Sequence, residues 1–147
     1  AFAYGEEVVV ERFVAGREIA VSIVEGREGA RALPPVEVRT DEGSYDYDAR
    51  YDTGRTEFFA PAPLTDDELR AVTELALASH RVLELRDYSR IDLILDDEGT
   101  AWFIDANVIP GMTDTSLFPL AAEAESSFEQ VVADLVERAM SRPAEAD

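Results

Sequence analysis

Residues 88–116 read YSRIDLILDDEGTAWFIDANVIPGMTDTS, and this stretch decides the fold. Polar and apolar residues alternate over 88–97, which predicts a β-strand with one face in a core. Glu98-Gly99 predicts a turn, after which residues 100–109 form the partner strand of a hairpin. The stretch therefore predicts two adjacent antiparallel strands.

Four polar residues occupy matching positions on these two strands. Residues two apart in a strand point to the same face, so Arg90 shares a face with Asp92, and Asp105 shares a face with Asn107. Pairing through the turn can bring both pairs onto one face of the sheet. Two carboxylates and an amide oxygen suit Mg²⁺, although the same pattern also fits a half-exposed sheet face with a salt bridge.

The residues that follow this hairpin favour a ligand site. Pro110-Gly111 turns the chain at the polar face and leaves backbone N–H groups available. Ser116 then opens a helix, whose N-terminus favours anions, although Ser116 also fits a simple N-cap. The combination suits phosphoryl transfer or the binding of a carboxylate substrate.

The rest of the chain predicts one α+β domain over residues 1–147, an antiparallel sheet with helices packed against it. We expect the solitary His80 at the surface of a helix, with no functional role. The other predicted elements are a hairpin of strands 6–14 and 17–25, a strand over 34–40, a long loop over 41–57, an extended segment over 58–64, a helix over 65–85 opened by a Thr65/Glu68 capping box, a helical turn over 116–124 and a terminal helix over 126–140.

Composition excludes several classes of function. The net charge of −19 argues against nucleic acid or an anionic membrane as a partner. Lysine and cysteine do not occur, which excludes Schiff-base, P-loop-lysine and thiolate chemistry from this chain. Neither a membrane span nor a signal peptide is visible, so the cytoplasm is the default expectation. The opening AFAYGEE lacks an initiator Met and suggests a piece of a longer chain.

The motifs also resemble a known family. They are similar to the C-terminal half of the ATP-grasp fold of D-alanine–D-alanine ligases. In chain order, the matching segments are VVVERFVAGREIAV, LPPVEV, YDYDARY, RIDLIL and DEGTAWFIDANVIPGMTDTSLFPLAAEA. The resemblance covers nearly the whole chain, and PGMTxxSLFP and YDYxAxY in this order are its specific motifs. It implies the substrates ATP and D-alanine, a cytoplasmic role in peptidoglycan precursor synthesis, and, as partners, the rest of the ligase chain and a second copy in a homodimer.

Carried over position by position, the resemblance implies a nucleotide site. Glu11 and the backbone of Phe13 and Val14 would meet the adenine edge, with Arg12 in the same segment. Glu18 would bind the ribose hydroxyls, and Ile94 would line the adenine pocket. Two Mg²⁺ ions, or Mn²⁺ in their place, would be held on the ATP phosphates by Asp92, Asp105 and Asn107.

The resemblance also implies the reacting end of the site. ATP phosphorylates the carboxylate of the first D-alanine, and the amine of the second attacks the acyl phosphate. Arg90 and the Gly111 N–H would stabilise the oxyanion, while Ser116 and the Leu117 N–H would hold the carboxylate of the second D-alanine. A catalytic loop would contribute Arg50, near the γ-phosphate, and Tyr51.

Two substitutions depart from the family pattern. Asp105 stands where the family usually has Glu, and Arg50 stands where it usually has Lys. Arg is a planar fork and does not replace Lys equivalently. These changes leave open an ATP-grasp carboxylate–amine ligase of different specificity or a non-catalytic nucleotide-binding remnant. The N-terminal domain and phosphate-binding lysines of the family are absent, so the chain alone is expected to be inactive.

Overall fold

Residues 7–26, 28–40 and 56–142 are described by a computed structural model, and they form one antiparallel sheet with helices on both faces. Along the sheet the strand order is β4-β3-β1-β5-β6, and β2 pairs with β1 beside β3. These elements are β1 (Arg17–Gly26), β2 (Gly29–Ala32), β3 (Val36–Thr40), β4 (Thr56–Phe59), α1 (Asp66–Val82), β5 (Tyr88–Leu95), β6 (Ala101–Asn107), α2 (Leu117–Glu123) and α3 (Phe128–Ser141).

Strand β1 is the centre of the fold, because both of its faces are buried. Its odd-numbered residues, such as Ile19 and Val21, pack against α1 on one face. Its even-numbered residues, such as Ala20 and Val24, pack on the other face with α2 and the buried Val131 of α3. The sheet is therefore a middle layer, which confirms the predicted α+β arrangement. No helix within the described ranges is long and apolar enough to cross a membrane.

The predicted hairpin of residues 88–109 is confirmed, and it contains a β-bulge that the sequence does not reveal. Asp92 pairs with Asp105 and Ile94 pairs with Trp102, so that Ile104 is the extra residue of β6. Directly paired residues share a face of the sheet. The bulge thus places Trp102 and Asp105, three residues apart, on the same face as Asp92 and Ile94.

The helix predictions hold in position, with differences in burial. The capping box of α1 is present, since the Glu68 N–H donates to Thr65 Oγ1 and the Thr65 N–H donates to Glu68 Oε2. In α3, Val131 is buried and Leu135 packs against the same core, whereas Val136 is 51% exposed. Arg138 anchors the second half of α3 instead, donating to Glu25 Oε2 at 2.6 Å and to the Gly26 carbonyl at 3.0 Å.

The predicted first hairpin is wrong. Residues 7–15 form no strand, and the hairpin partner of β1 is β2. The reason lies in the edges of β1, since β5 pairs along one edge and β2 and β3 share the other. Together these pairings leave no continuous free edge of β1 for a strand over residues 7–15. Of the predicted loop over 41–57, the last two residues belong to β4, and residues 41–55 lie outside the described residues.

The surface position expected for His80 is also wrong, because its side chain is buried at 1% exposure. Val72, Ala76 and His80 follow a spacing of four and lie on the buried side of α1. His80 Nδ1 lies 2.8 Å from Ser89 Oγ, and Nε2 lies 3.6 Å from Glu25 Oε1. His80 therefore links α1 to β5 and β1 as a buried polar contact.

Candidate active site

A cavity of about 500 Å³ opens on the sheet face that carries α2. Its walls come from residues 11–14, β1, β3, β5, β6 and the first residue of α2. The residues predicted for the base and ribose end of the nucleotide all line this cavity: Glu11, Arg12, Phe13, Val14, Glu18 and Ile94. Four residues predicted for the reacting end line it as well: Arg90, Asp92, Asp105 and Leu117.

Strand register brings the acidic residues together at one end of this cavity. Asp92 lies directly opposite Asp105, and Arg90 lies opposite Asn107. Arg90 binds Asp92 through both nitrogens of its fork, with Nε–Oδ1 and Nη2–Oδ2 distances of 2.7 Å. The pair is largely shielded, with side-chain exposures of 12% for Arg90 and 22% for Asp92. A charge-assisted, bidentate pair of this kind fixes both side chains on the cavity wall.

The donor set at this end suits Mg²⁺. No three His, Cys, Asp or Glu side chains cluster closely enough to hold a metal by themselves within the described ranges. The site offers two carboxylates and the Asn107 amide, which fits an ion that takes few protein ligands and keeps water or phosphate oxygens. Asn107 Oδ1 accepts from the Ile109 N–H at 3.2 Å, and a carbonyl oxygen has a second lone pair for a ligand.

In the turn after β6, Gly111 lies close to the side chain of Ser116. A Cβ on Gly111 would lie 2.7 Å from Ser116 Oγ. Ser116 Oγ lies 2.8 Å from Thr113 Oγ1 and accepts from the Thr113 N–H at 3.3 Å. Ser116 occupies the N-cap position of α2, but its side chain makes no capping hydrogen bond. Its hydroxyl instead shapes the turn.

Some predicted residues lie apart from the cavity wall. Among the described residues, Asn107, Gly111 and Ser116 do not line the cavity. They follow it in the chain, on the last residue of β6 and in the turn that leads to α2. Arg50 and Tyr51 lie outside the described residues.

The opposite end of the cavity holds a contact that sequence reasoning missed. Arg12 Cζ lies 5.0 Å from the centroid of the Trp102 ring, and Trp102 Nε1 donates to Asp96 Oδ2 at 2.7 Å. This hydrogen bond is the first cause of a lowered Asp96 pKa, followed by the Thr100 N–H, because both favour the ionised carboxylate. The bulge in β6 places Trp102 on the same face of the sheet as Ile94 and Asp92.

Comparison with known proteins fits this architecture. The sheet with its cavity defines the C-terminal half of an ATP-grasp fold. Residues 1–137 match the sequence model described as "D-ala D-ala ligase C-terminus", and the chain belongs to that family. It is 43% identical over 135 residues to a D-alanine–D-alanine ligase of Methylacidiphilum infernorum, covering 91% of this chain and 43% of that protein. The chain thus spans less than half the length of the curated relatives it matches.

Solved structures give the same relationship. A D-alanyl-alanine synthetase A from Vibrio cholerae superposes with a TM-score of 0.79 at 30% identity, covering 96% of this chain and 44% of that one. A D-alanine–D-alanine ligase from Bacillus anthracis complexed with ATP superposes with a TM-score of 0.76 at 29% identity, covering 95% of this chain and 44% of that one. The family predicted from the motifs is therefore confirmed, and its fold with it.

Proposed function

We propose that this chain supplies the Mg·ATP and second-substrate half of a D-alanine–D-alanine ligase site, which joins two D-alanines through an acyl phosphate for peptidoglycan precursor synthesis. The observation that carries the proposal is the cavity. Its wall has the predicted base-binding segment 11–14 at one end and the opposed carboxylates of Asp92 and Asp105 at the other. A single sheet face thus presents groups suited to both ends of a nucleotide.

At the nucleotide end, Glu11 and the backbone of Phe13 and Val14 would bind the adenine edge. Glu18 pairs with Ile94 across β1 and β5, so the group proposed for the ribose lies beside the residue proposed for the base. Both line the cavity. This order along the sheet supports the assignment of the base to the end nearer Ile94 and of the phosphates to the end nearer Asp92.

At the phosphate end, Asp92, Asp105 and Asn107 would hold Mg²⁺, which when bound neutralises charge on the transferring phosphoryl group. Asp92 already gives both oxygens to Arg90. Each of these oxygens has a further lone pair, so Asp92 could bind a cation while it still accepts from Arg90. The Arg90 guanidinium, oriented by this pair, would stabilise the oxyanion that forms when the amine attacks.

At the acceptor end, the Gly111 N–H would share the oxyanion with Arg90, and Ser116 with the Leu117 N–H would hold the carboxylate of the second D-alanine. Leu117 lines the same cavity as Asp92 and Asp105, which supports this assignment. The Ser116 hydroxyl, which now lies 2.8 Å from Thr113 Oγ1, can accept or donate and therefore suits a carboxylate oxygen.

The test uses the complete product of the gene, and it follows phosphate release from Mg·ATP with D-alanine, D-lactate, D-serine and L-alanine. We expect release with D-alanine, and we expect Asp92→Asn to lower it at least about 100-fold by removing a ligand and the partner of Arg90. Asp97→Asn removes the same charge from the exposed turn and should not change the rate. The 147-residue chain alone should release none.

Two other outcomes would replace the proposal. Release with another acceptor and not with D-alanine would assign the protein to an ATP-grasp ligase of different specificity, as the Asp105 and Arg50 substitutions allow. No release with any acceptor would identify a non-catalytic nucleotide-binding remnant of the family.

A further inference from the structure

Residues 11–14, which carry the proposed contacts to the base, lie in a segment without regular secondary structure. Residues 7–15 form no strand, and Val10 and Phe13 are 87% and 83% exposed. The Arg12–Trp102 stack is a side-chain contact that joins this segment to the sheet. A segment without ladder hydrogen bonds needs another restraint to keep one position on a cavity rim.

Trp102 is itself fixed in place, so it can serve as that restraint. It pairs with Ile94 across the β5–β6 ladder, and its Nε1 donates to Asp96 Oδ2 at 2.7 Å. The other oxygen of Asp96 accepts from the Glu98 N–H at 3.0 Å and the Thr100 N–H at 2.8 Å. The indole is thus held by the same carboxylate that closes the hairpin turn.

The two contacts use different parts of the indole ring. Its edge donates to Asp96, and its face meets the Arg12 guanidinium with Cζ 5.0 Å from the centroid, within the range of a cation–π interaction. Asp96 is also close enough for its negative charge to act on Arg12. Arg12, Trp102 and Asp96 therefore form a connected brace from the segment to the hairpin turn.

We propose that this Arg12–Trp102–Asp96 brace positions residues 11–14 for the nucleotide base, with Trp102 and Arg12 as positioning residues. The inference rests on the proposed function, because the brace acts on the base-binding segment of the same cavity. Loss of the brace should weaken nucleotide binding by disordering that segment, without removing any group proposed to contact the phosphates.

Trp102 is the single tryptophan of the chain, so its fluorescence reports on the brace. In Arg12→Gln we expect acrylamide to quench Trp102 of the 147-residue chain more strongly. We expect the Kd of the complete product of the gene for Mg·ATP, measured by calorimetry, to rise about two- to fivefold. Arg12→Lys should keep most of both properties, since it keeps a cation over the ring. Trp102→Phe keeps an aromatic face but loses the bond to Asp96, and its Kd should lie between wild type and Trp102→Ala.

Arg70→Gln is the matched control, because it makes the same charge change on α1, on the other face of the sheet, where Arg70 is paired with Asp67. It should alter neither quenching nor Kd. If wild type binds Mg·ATP and both Arg12→Gln and Trp102→Ala bind it equally well, the brace is overturned and the proposed function stands. If wild type binds no Mg·ATP, the nucleotide part of the proposed function fails. In that case the quenching experiment still tests the brace, and unchanged quenching in Arg12→Gln would overturn it.

Discussion

At the scale of single residues, two glycines lie where an added Cβ would meet a neighbour at short distance, and neither has a positive φ. A Cβ on Gly16 would lie 2.4 Å from the Leu95 carbonyl oxygen, which belongs to the backbone of β5 and cannot move away. A Cβ on Gly111 would lie 2.7 Å from Ser116 Oγ, which can rotate. The sequence shows that both positions are glycine, but only the structure shows which atom an added Cβ would meet.

For Gly111→Ala we expect a loss of about 1 kcal/mol in the free energy of unfolding, because Ser116 Oγ must rotate away from its bonds to Thr113. In a Ser116→Ala background those bonds are already absent, so the same substitution should cost much less. Urea unfolding of the four variants measures this coupling. Gly26→Ala, whose added Cβ would meet nothing closer than 4.0 Å, is the control. An equal cost in both backgrounds would exclude Ser116 as the obstacle.

At the scale of elements, the β5–β6 hairpin was predictable, whereas the pairing partners of β1 were not. The β5–β6 hairpin follows from alternation and one turn, so the opposition of Asp92 and Asp105 could be expected. The strand predicted over residues 6–14 was wrong because β5, β2 and β3 occupy the edges of β1. A bulge also leaves no mark on residue spacing, so Trp102 was missed as a wall residue.

His80 is a second case in which the sequence did not predict a contact between distant elements. Its spacing from Val72 and Ala76 placed it on the buried face of α1, but its polarity favoured the surface. Burial is tolerated because Ser89, a residue of β5, supplies a hydrogen-bonding partner at 2.8 Å. Such partners come from tertiary packing, which helical periodicity alone does not predict.

One buried carboxylate ties three elements together. Glu37 of β3 is 2% exposed and accepts bidentate hydrogen bonds from Arg17 of β1 and from Arg39. Arg17 also donates to Glu68 in the first turn of α1. Burial by itself raises the pKa of Glu37, but the hydrogen bonds and charges of the two arginines outweigh it and lower the pKa to about 2.

We expect Glu37→Gln to lower the free energy of unfolding by about 2 kcal/mol at pH 7, since it leaves two arginine forks without their shared anion. A lowered folded-state pKa stabilises the protein above the ordinary value of 4.5, and this contribution is lost as pH falls from 4.5 toward about 2. The difference between wild type and variant should therefore shrink over that range. Urea unfolding at several pH values measures it, with Glu74→Gln as an exposed control on α1. A difference independent of pH would contradict the assigned role of the Glu37 charge.

At the scale of the whole molecule, the dominant property is charge. With a net charge of −19, the negative side chains repel one another more strongly in the folded chain than in the expanded one, and this repulsion destabilises the folded state. Salt screens this repulsion within about 10 Å at 0.1 M. NaCl should therefore raise the melting temperature of the chain, although it also weakens exposed ion pairs. The same background makes non-specific binding of Mg²⁺ to surface carboxylates unavoidable, and a test for a specific site must separate the two effects.

Comparing MgCl₂ with NaCl at equal ionic strength, in the presence of ATP, makes that separation. A ligand that binds only the folded state at ten times its Kd stabilises it by about 1.4 kcal/mol. We expect this extra stabilisation in wild type and its loss in Asp105→Asn, because Asp105 is exposed and faces Asp92 across the ladder. Asp105 is also the better residue to change than Asp92, whose substitution would additionally break the pair with Arg90. Asp97→Asn makes the same change of net charge in the exposed β5–β6 turn and should retain the full effect. An equal loss in both variants would show that Mg²⁺ acts on the overall charge of the molecule and not through the opposed carboxylates.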